Sequence, residues 1–294
     1  MPYSVLILTH NEADNIARCL DALAPGTDAV VLDSGSTDGT LDIVRRYPVR
    51  IATRPFDSFA GQRNWAVDTL GFRHDWILHL DADESLTPAL RTELDTVTER
   101  DEHSAYLLAN RLYFMGRWIR HASMYPHYQA RLLKRGEARF GQVGHGQILA
   151  EARRGVGTLR EPYDHHNFSR GVGDWVTRHN RYSTDEARRI VHGTAHGVAT
   201  GGAHGTARGA GASVPGGSGR ESRQQRLKWL ADRLPCRPLV RFLYLYGCRL
   251  GFLDGRPGFD YCVLMAFYDF LTRAKVRELR TATRAASTPR PRHP

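Results

Sequence analysis

The sequence predicts an α/β fold, a doubly wound and mostly parallel sheet with a helical appendage toward the C-terminus. Three observations predict it. Over residues 1–100, short apolar runs of strand length alternate with segments of helical periodicity. Each run ends in polar residues, the pattern of buried parallel strands whose carboxyl ends open onto a ligand site. Beyond residue 193 a stretch of Gly, Ala, His, Thr and Ser separates this region from another that is apolar, aromatic and basic.

Val5–Thr9 and Ala29–Asp33 read as the first two strands, and Ile16, Leu20 and Leu23 give the intervening segment Glu12–Leu23 one apolar helical face. Together they predict a β-α-β crossover. Asp38 is a good cap for a helix over Gly39–Tyr47, and Val49–Thr53 reads as a third strand. Ala60–Leu70 is predicted helical, and the strand Trp76–Leu80 runs straight into Asp81-Ala82-Asp83-Glu84. Pro88–Arg100 follows as a helix and Ser104–Phe114 as a strand or strand pair. Gly116–Gly157, rich in Arg, His, Tyr and Gly, is expected to form loops and short antiparallel strands, and Asp174–Ile190 returns to helical spacing. These bounds set a domain at 1–190, a flexible insertion at 193–220, a helical region at 223–280 and a disordered basic tail at 281–294. The insertion is expected to be flexible because its residues bury too little apolar surface to offset the entropy of ordering.

The 294 residues are 41% hydrophobic and 10% aromatic, enough for a sizeable core. Cys19, Cys236, Cys248 and Cys262 are scattered, with no C-x-x-C pair, which favours thiols in a reducing compartment. Met1-Pro2-Tyr3-Ser4 lacks the basic flank of a signal peptide, and no apolar run reaches the roughly 18 to 20 residues of a bilayer crossing. A cytoplasmic location is therefore expected. The net charge of +10 suits a polyanionic partner, although an arginine-rich composition gives the same bias with no function attached. Trp229, Phe242, Tyr244, Tyr246 and Phe252 interleave with Arg233, Arg237, Arg241 and Arg249, as in a surface helix at an anionic membrane. The alternative packs those aromatics onto the rest of the protein; peripheral association with the inner face of the cytoplasmic membrane is the reading preferred here.

Chemistry is expected just after the strands. Thr9-His10-Asn11-Glu12, the run from Asp33 to Thr40, and Asp81-Ala82-Asp83 occupy those places, and no G-x-G-x-x-G loop follows the first strand to cradle a pyrophosphate. Asp81 and Asp83 offer another means. Side chains i and i+2 of an extended segment share a side, so both carboxylates converge on a hard divalent cation, Mg²⁺ or Mn²⁺, that shares its shell with phosphates. Such a cation acts as a Lewis acid on a departing diphosphate.

These three motifs, in this order over about residues 3–90, resemble family 2 glycosyltransferases. Phe59-Ala60-Gly61-Gln62-Arg63-Asn64-Trp65-Ala66 and Asn180-Arg181-Tyr182-Ser183 with Glu186-Ala187 are similar to the branch that includes lipopolysaccharide core glucosyltransferases. The resemblance implies a GT-A fold, which is Rossmann-like, and inverting transfer from a nucleotide-sugar donor, UDP-sugar being the expected class. The acceptor it implies is a cell-envelope glycan or glycolipid. By position, Thr9, Asn11 and Glu12 would line the nucleotide pocket, Asp33 would meet the base or ribose, and Asp38 would help or merely cap its helix. Arg63 and Asn64 would reach donor phosphate or ribose.

Inversion also requires a general base for the acceptor hydroxyl. The family tends to carry a His-Glu pair after a Val here, whereas this chain reads Val143-Gly144-His145-Gly146-Gln147, which leaves His145 and the downstream Glu151 as candidates. Asp164-His165-His166-Asn167 is a candidate piece of the acceptor site; a zinc site there is disfavoured because adjacent histidines in a strand point to opposite faces. Two rival classes remain at this stage. One is a metal-dependent phosphohydrolase or nucleotidyltransferase using Asp81 and Asp83; the other is a basic nucleic-acid-binding protein, supported by charge alone and lacking any recognisable motif, so no nucleic acid is expected.

Overall fold

The computed structural model describes residues 2–143, 146–192 and 236–287. They form two compact units, one of 2–120 and 124–170, the other of 121–123, 171–192 and 236–287. The insertion expected at 193–220 lies outside the described residues.

In the first unit, β1 (Tyr3–Thr9), β2 (Ala29–Asp33), β3 (Arg50–Thr53) and β4 (Trp76–Asp81) are mutually parallel in the order β3-β2-β1-β4. Every side chain of β1 and β2 is buried, as the unbroken apolar runs demand. The crossovers carry α1 (Ile16–Asp21), α2 (Thr40–Val44) and α3 (Phe59–Thr69), the first two shorter than their periodicity predicts. α1 starts late because the Glu12 carbonyl accepts the Asn15 and Ile16 amides in a turn before the helix. α3 is capped by Ser58, whose hydroxyl accepts the Gly61 amide at 3.0 Å.

Past β4 antiparallel pairings enter the sheet. β5 (Glu84–Ser85) and α4 (Pro88–Arg100), capped by the Thr87 hydroxyl, lead to the long β6 (Ala105–Phe114) and the short β7 (Arg117–Trp118). β8 (Tyr128–Lys134) inserts antiparallel between β4 and β6, and the order continues β8-β6-β12-β5, with β11 (Val156–Thr158) and β7 also on β6. β12 (Tyr163–His165) runs parallel to β6 and antiparallel to β5. β9 (Ala138–Val143) and β10 (Gly146–Ala152) make a separate antiparallel ribbon. The sheet is thus mostly parallel, with the antiparallel strands that the Arg-, His- and Gly-rich stretch suggested.

The second unit is helical. α5 (Gly171–His192) buries Trp175, His179, Ser183 and Ala187 at four-residue spacing. Then come α6 (Arg237–Leu243), a π-helical turn over Tyr244–Cys248, a 3₁₀ turn over Gly251–Asp254, and α7 (Gly255–Ser287). A Cβ on Gly251 would stand 2.7 Å from the Leu245 carbonyl oxygen, so only glycine permits that turn. α5 belongs here because it is bonded to α7: the Tyr268 hydroxyl donates to Glu186 at 2.6 Å and Lys275 Nζ donates to the Asn180 carbonyl at 2.5 Å. The first unit therefore closes at Arg170 rather than at 190. α7 also runs through 281–287, where a disordered tail was expected; the rest of that tail lies outside the described residues.

Candidate active site

The carboxyl ends of β1, β2 and β4 lie side by side in register, Thr9 beside Asp33 and Leu8 beside Asp81. Asn11 has a left-handed backbone, φ 54°, and locks two loops together: its amide donates to the Ser36 hydroxyl at 2.9 Å and its side-chain oxygen accepts the Thr37 amide at 2.7 Å. The Glu12 amide donates to the Thr40 hydroxyl at 2.8 Å. Asp33, 1% exposed, turns back on its own loop and accepts the Gly35 and Ser36 amides, both at 2.9 Å. Asp38 accepts the Thr40 amide at 3.0 Å and the Ala13 amide at 3.2 Å, so it both starts α2 and ties it to the loop after β1. The Thr9 hydroxyl is buried without a partner among the described residues.

Asp81 stands at the centre of a buried charge network. One of its oxygens accepts from Arg63 at 2.6 Å and the other from Arg131 at 2.9 Å, while Arg131 also bonds Glu84. Glu84 in turn accepts the Asp81 amide at 3.0 Å, which folds the acidic tetrapeptide into a tight turn. Arg63, Arg131 and Glu84 are 1%, 3% and 1% exposed. Buried charge survives only when paired, and here the pairing is continuous. Burial opposes ionisation of Asp81, but Arg131 and Arg63 outweigh it and hold the carboxyl well below the usual range. Burial pushes Glu84 up to about 7 despite Arg131. Arg63 is steadied further by Gln147 on β10 at 2.9 Å and by the Phe140 ring.

Asp83 lies outside this clamp and meets His165 of β12 at 3.4 Å; their side chains are 16% and 20% exposed. Burial alone would keep His165 neutral, but the Asp83 carboxylate raises its pKa. His127, nearby, is driven down to about 4, first by burial and then by the charges of His165 and Arg131. Two expectations therefore change form. Asp81 was read as sharing a cation with Asp83, and instead each of its oxygens carries a guanidinium. Asn64, expected at the donor, spends its amide on the Phe140 backbone, donating to the carbonyl at 2.9 Å and accepting the N–H at 3.2 Å.

His145 lies outside the described residues. Glu151 is exposed on β10 with Arg139 as its register partner, four residues beyond Gln147 and so ~13 Å along the strand from the Arg63 contact. Sequence reasoning missed Arg131 and Glu84. The available signals were a lone arginine inside the apolar strand Gln129-Ala130-Arg131-Leu132-Leu133 and a third acid directly after the D-x-D. It saw His165 only as part of a polar cluster, because nothing local links residue 165 to residue 83.

A mostly parallel sheet with an acidic turn after its fourth strand and an antiparallel continuation is the GT-A fold. Residues 4–156 match the family described as Glycosyl transferase family 2, and the chain belongs to that family. It is 28% identical to the lipopolysaccharide core biosynthesis glycosyltransferase LpsC of Rhizobium meliloti (strain 1021), across 94% of this chain and 92% of that protein. An uncharacterised glycosyltransferase of Rickettsia typhi (strain ATCC VR-144 / Wilmington) is 25% identical across 96% of this chain and 88% of that protein. Among solved structures, the mannosyltransferase PcManGT from Pyrobaculum calidifontis, in complex with GDP-Man and Mn²⁺, shares the fold with a TM-score of 0.50 at 16% identity, covering 94% of this chain and 86% of that one. Family membership displaces the phosphohydrolase and nucleic-acid readings.

Proposed function

We propose that this glycosyltransferase moves a sugar, with inversion, from a nucleoside diphosphate donor of the UDP-sugar class to a cell-envelope glycan or glycolipid, such as lipopolysaccharide core or exopolysaccharide. The observation that carries the reading is the pairing of Asp83 with His165 beside a carboxylate, Asp81, that two buried arginines immobilise. The name of the Rhizobium relative supports the acceptor class.

The residues present fit a divalent cation, Mg²⁺ or Mn²⁺. Asp83 and His165 are an O and N donor pair 3.4 Å apart, partly open to solvent, and two protein donors leave room for phosphate oxygens and water. Such a cation would offset charge growing on the departing diphosphate. Asp81 serves differently in this reading. A carboxylate has about four lone-pair sites, and the arginines use two, so a partly exposed Asp81 still accepts a ribose or sugar hydroxyl while its orientation stays fixed. Thr9, Asn11, Glu12 and Asp33 form the nucleotide wall, with Asp38 holding the loop and Arg63 positioning Asp81. His145 and Glu151 are the general-base candidates that the chain offers.

Isothermal titration of UDP, GDP and ADP, with and without Mn²⁺, tests this directly. One diphosphate is expected to bind in a metal-dependent way, with Asp83→Ala abolishing that dependence and His165→Ala weakening it by about tenfold. Binding indifferent to metal and to both substitutions would overturn the proposal. The anomeric configuration of the product, read by NMR, tests inversion.

A further inference from the structure

α7 presents two opposed faces. Tyr261, Cys262, Met265, Tyr268, Thr272 and Val276 are buried, as expected for a helix packed on its unit. On the other side, Phe259, Val263, Phe267 and Phe270 are 36%, 43%, 41% and 50% exposed, with Phe259 also edge-on to the Phe242 and Tyr246 rings at 5.6 Å. At 100° per residue these four occupy a sector of about 80° opposite the buried face. α6 adds Leu239 and Leu243, each 56% exposed. Large apolar side chains aligned in a stripe and left in water mark an interaction surface rather than ordinary surface scatter.

The stripe is bracketed by cations. Arg256, three residues before Phe259, has a side chain 81% exposed and is bonded to Asp260 at 3.0 Å; Arg277, seven residues after Phe270, is also exposed. Both fall in the same sector, ~32 Å apart along the axis. We propose that this face of α7 lies in the plane of an anionic lipid bilayer, its phenylalanines among the upper acyl chains and its terminal arginines reaching lipid phosphates. An apolar centre with aromatic anchors and cationic ends is the composition of an interfacial helix, and arginine stems extend toward headgroups while their carbons remain in the apolar layer. The helix does not cross the bilayer: none among the described residues is long and apolar enough, and the opposite face of α7 is occupied by α5. A second copy of the chain is a poorer occupant, because stripe against stripe sets arginine against arginine in either orientation. Of the arginines the sequence singled out, Arg233, Arg237, Arg241 and Arg249, the first lies outside the described residues and Arg237 and Arg241 are turned toward buried Asp269 at 3.4 and 3.5 Å; the cations in line with the stripe are Arg256 and Arg277.

Vesicle co-sedimentation of the full chain tests this without donor or acceptor, so its failure leaves the glycosyltransferase reading standing. The wild type is expected to sediment with vesicles of phosphatidylcholine and phosphatidylglycerol at least tenfold better than with phosphatidylcholine alone. Phe267→Ser with Phe270→Ser should lose at least tenfold of that binding, and Arg256→Gln with Arg277→Gln should erase the preference for the anionic lipid. Equal sedimentation by wild type and the phenylalanine variant would overturn the proposal. So would a wild type that ignores vesicles at low salt, or one that is dimeric by light scattering and becomes monomeric in the phenylalanine variant.

Discussion

The cluster around Asp81 and the outer face of α7 break the usual burial rule in opposite directions. In the first, Arg63, Arg131 and Glu84 are ionisable side chains almost entirely removed from water; in the second, Phe267 and Phe270 are hydrocarbon left in it. The buried charges are held by one another, each guanidinium meeting at least one carboxylate although Arg63 Nη1 and Arg131 Nε and Nη1 find no partner among the described residues. Within the described chain, by contrast, the exposed phenylalanine faces have nothing to lose. Substitution should therefore be costly to the fold at the charge cluster and nearly free on the helix face, whatever it does to function.

The largest effect is expected at Arg131. Arg131→Leu leaves the fully buried Glu84 with no cation and the partly exposed Asp81 with only Arg63, and removing one partner from a buried ion pair costs about 3–5 kcal/mol. Urea unfolding at pH 7 measures it. Adding Glu84→Leu should recover part of that loss, because the stranded carboxylate goes too. A single-variant cost under about 1 kcal/mol would mean that the network is hydrated, and the contrast between the two regions would fail.

Much of this was legible in the sequence, but unevenly. The four parallel strands and their polar ends were readable because an apolar run of five residues and its flanking cluster are local facts, as in Val5–Thr9 and Asp33–Thr40. The D-x-D was equally plain. Its partners were not, since Arg131 and His165 reach residues 81–84 only through the pairing of β8 with β4 and of β12 with β5, which no local pattern specifies. Helix starts also shifted, as at Glu12, where side chains and turn geometry took over from periodicity. The aromatics singled out in the sequence, Phe242 to Phe252 among them, all precede α7, and the exposed phenylalanines of α7 went unnoticed because which of its side chains face water depends on where α5 docks.

A smaller effect is expected at His179, which is buried on α5, stacked on Trp175 at 3.6 Å, and driven down to about 4 chiefly by burial. An unfolded histidine titrates near 6.5, so between these values the unfolded chain binds more protons and stability rises with pH. The contribution is fully present above about pH 6.5 and fades as pH falls toward 4, by up to about 3 kcal/mol. Near-UV circular dichroism of unfolding across that window should show the slope in wild type and its reduction in His179→Phe; an identical slope in both would assign the pH dependence elsewhere.

The smallest effect is the sharpest test of the comparison. Phe267→Ser and Phe270→Ser change side chains that are about half exposed and contribute little to the packed face of α7, so each should shift folding stability by no more than about 0.5 kcal/mol. On the buried face of the same helix, two residues away, Met265→Ser removes a side chain 3% exposed and should cost about 2–5 kcal/mol. Serine is close to phenylalanine in helix propensity and within a few tenths of a kcal/mol of methionine, so the difference chiefly reports packing. If the outer pair proved as costly as Met265, those phenylalanines would be part of a folded core, and an exposed stripe would no longer be available to any membrane. If they proved silent in urea yet decisive in co-sedimentation, the apolar face would be held by what it binds rather than by the fold.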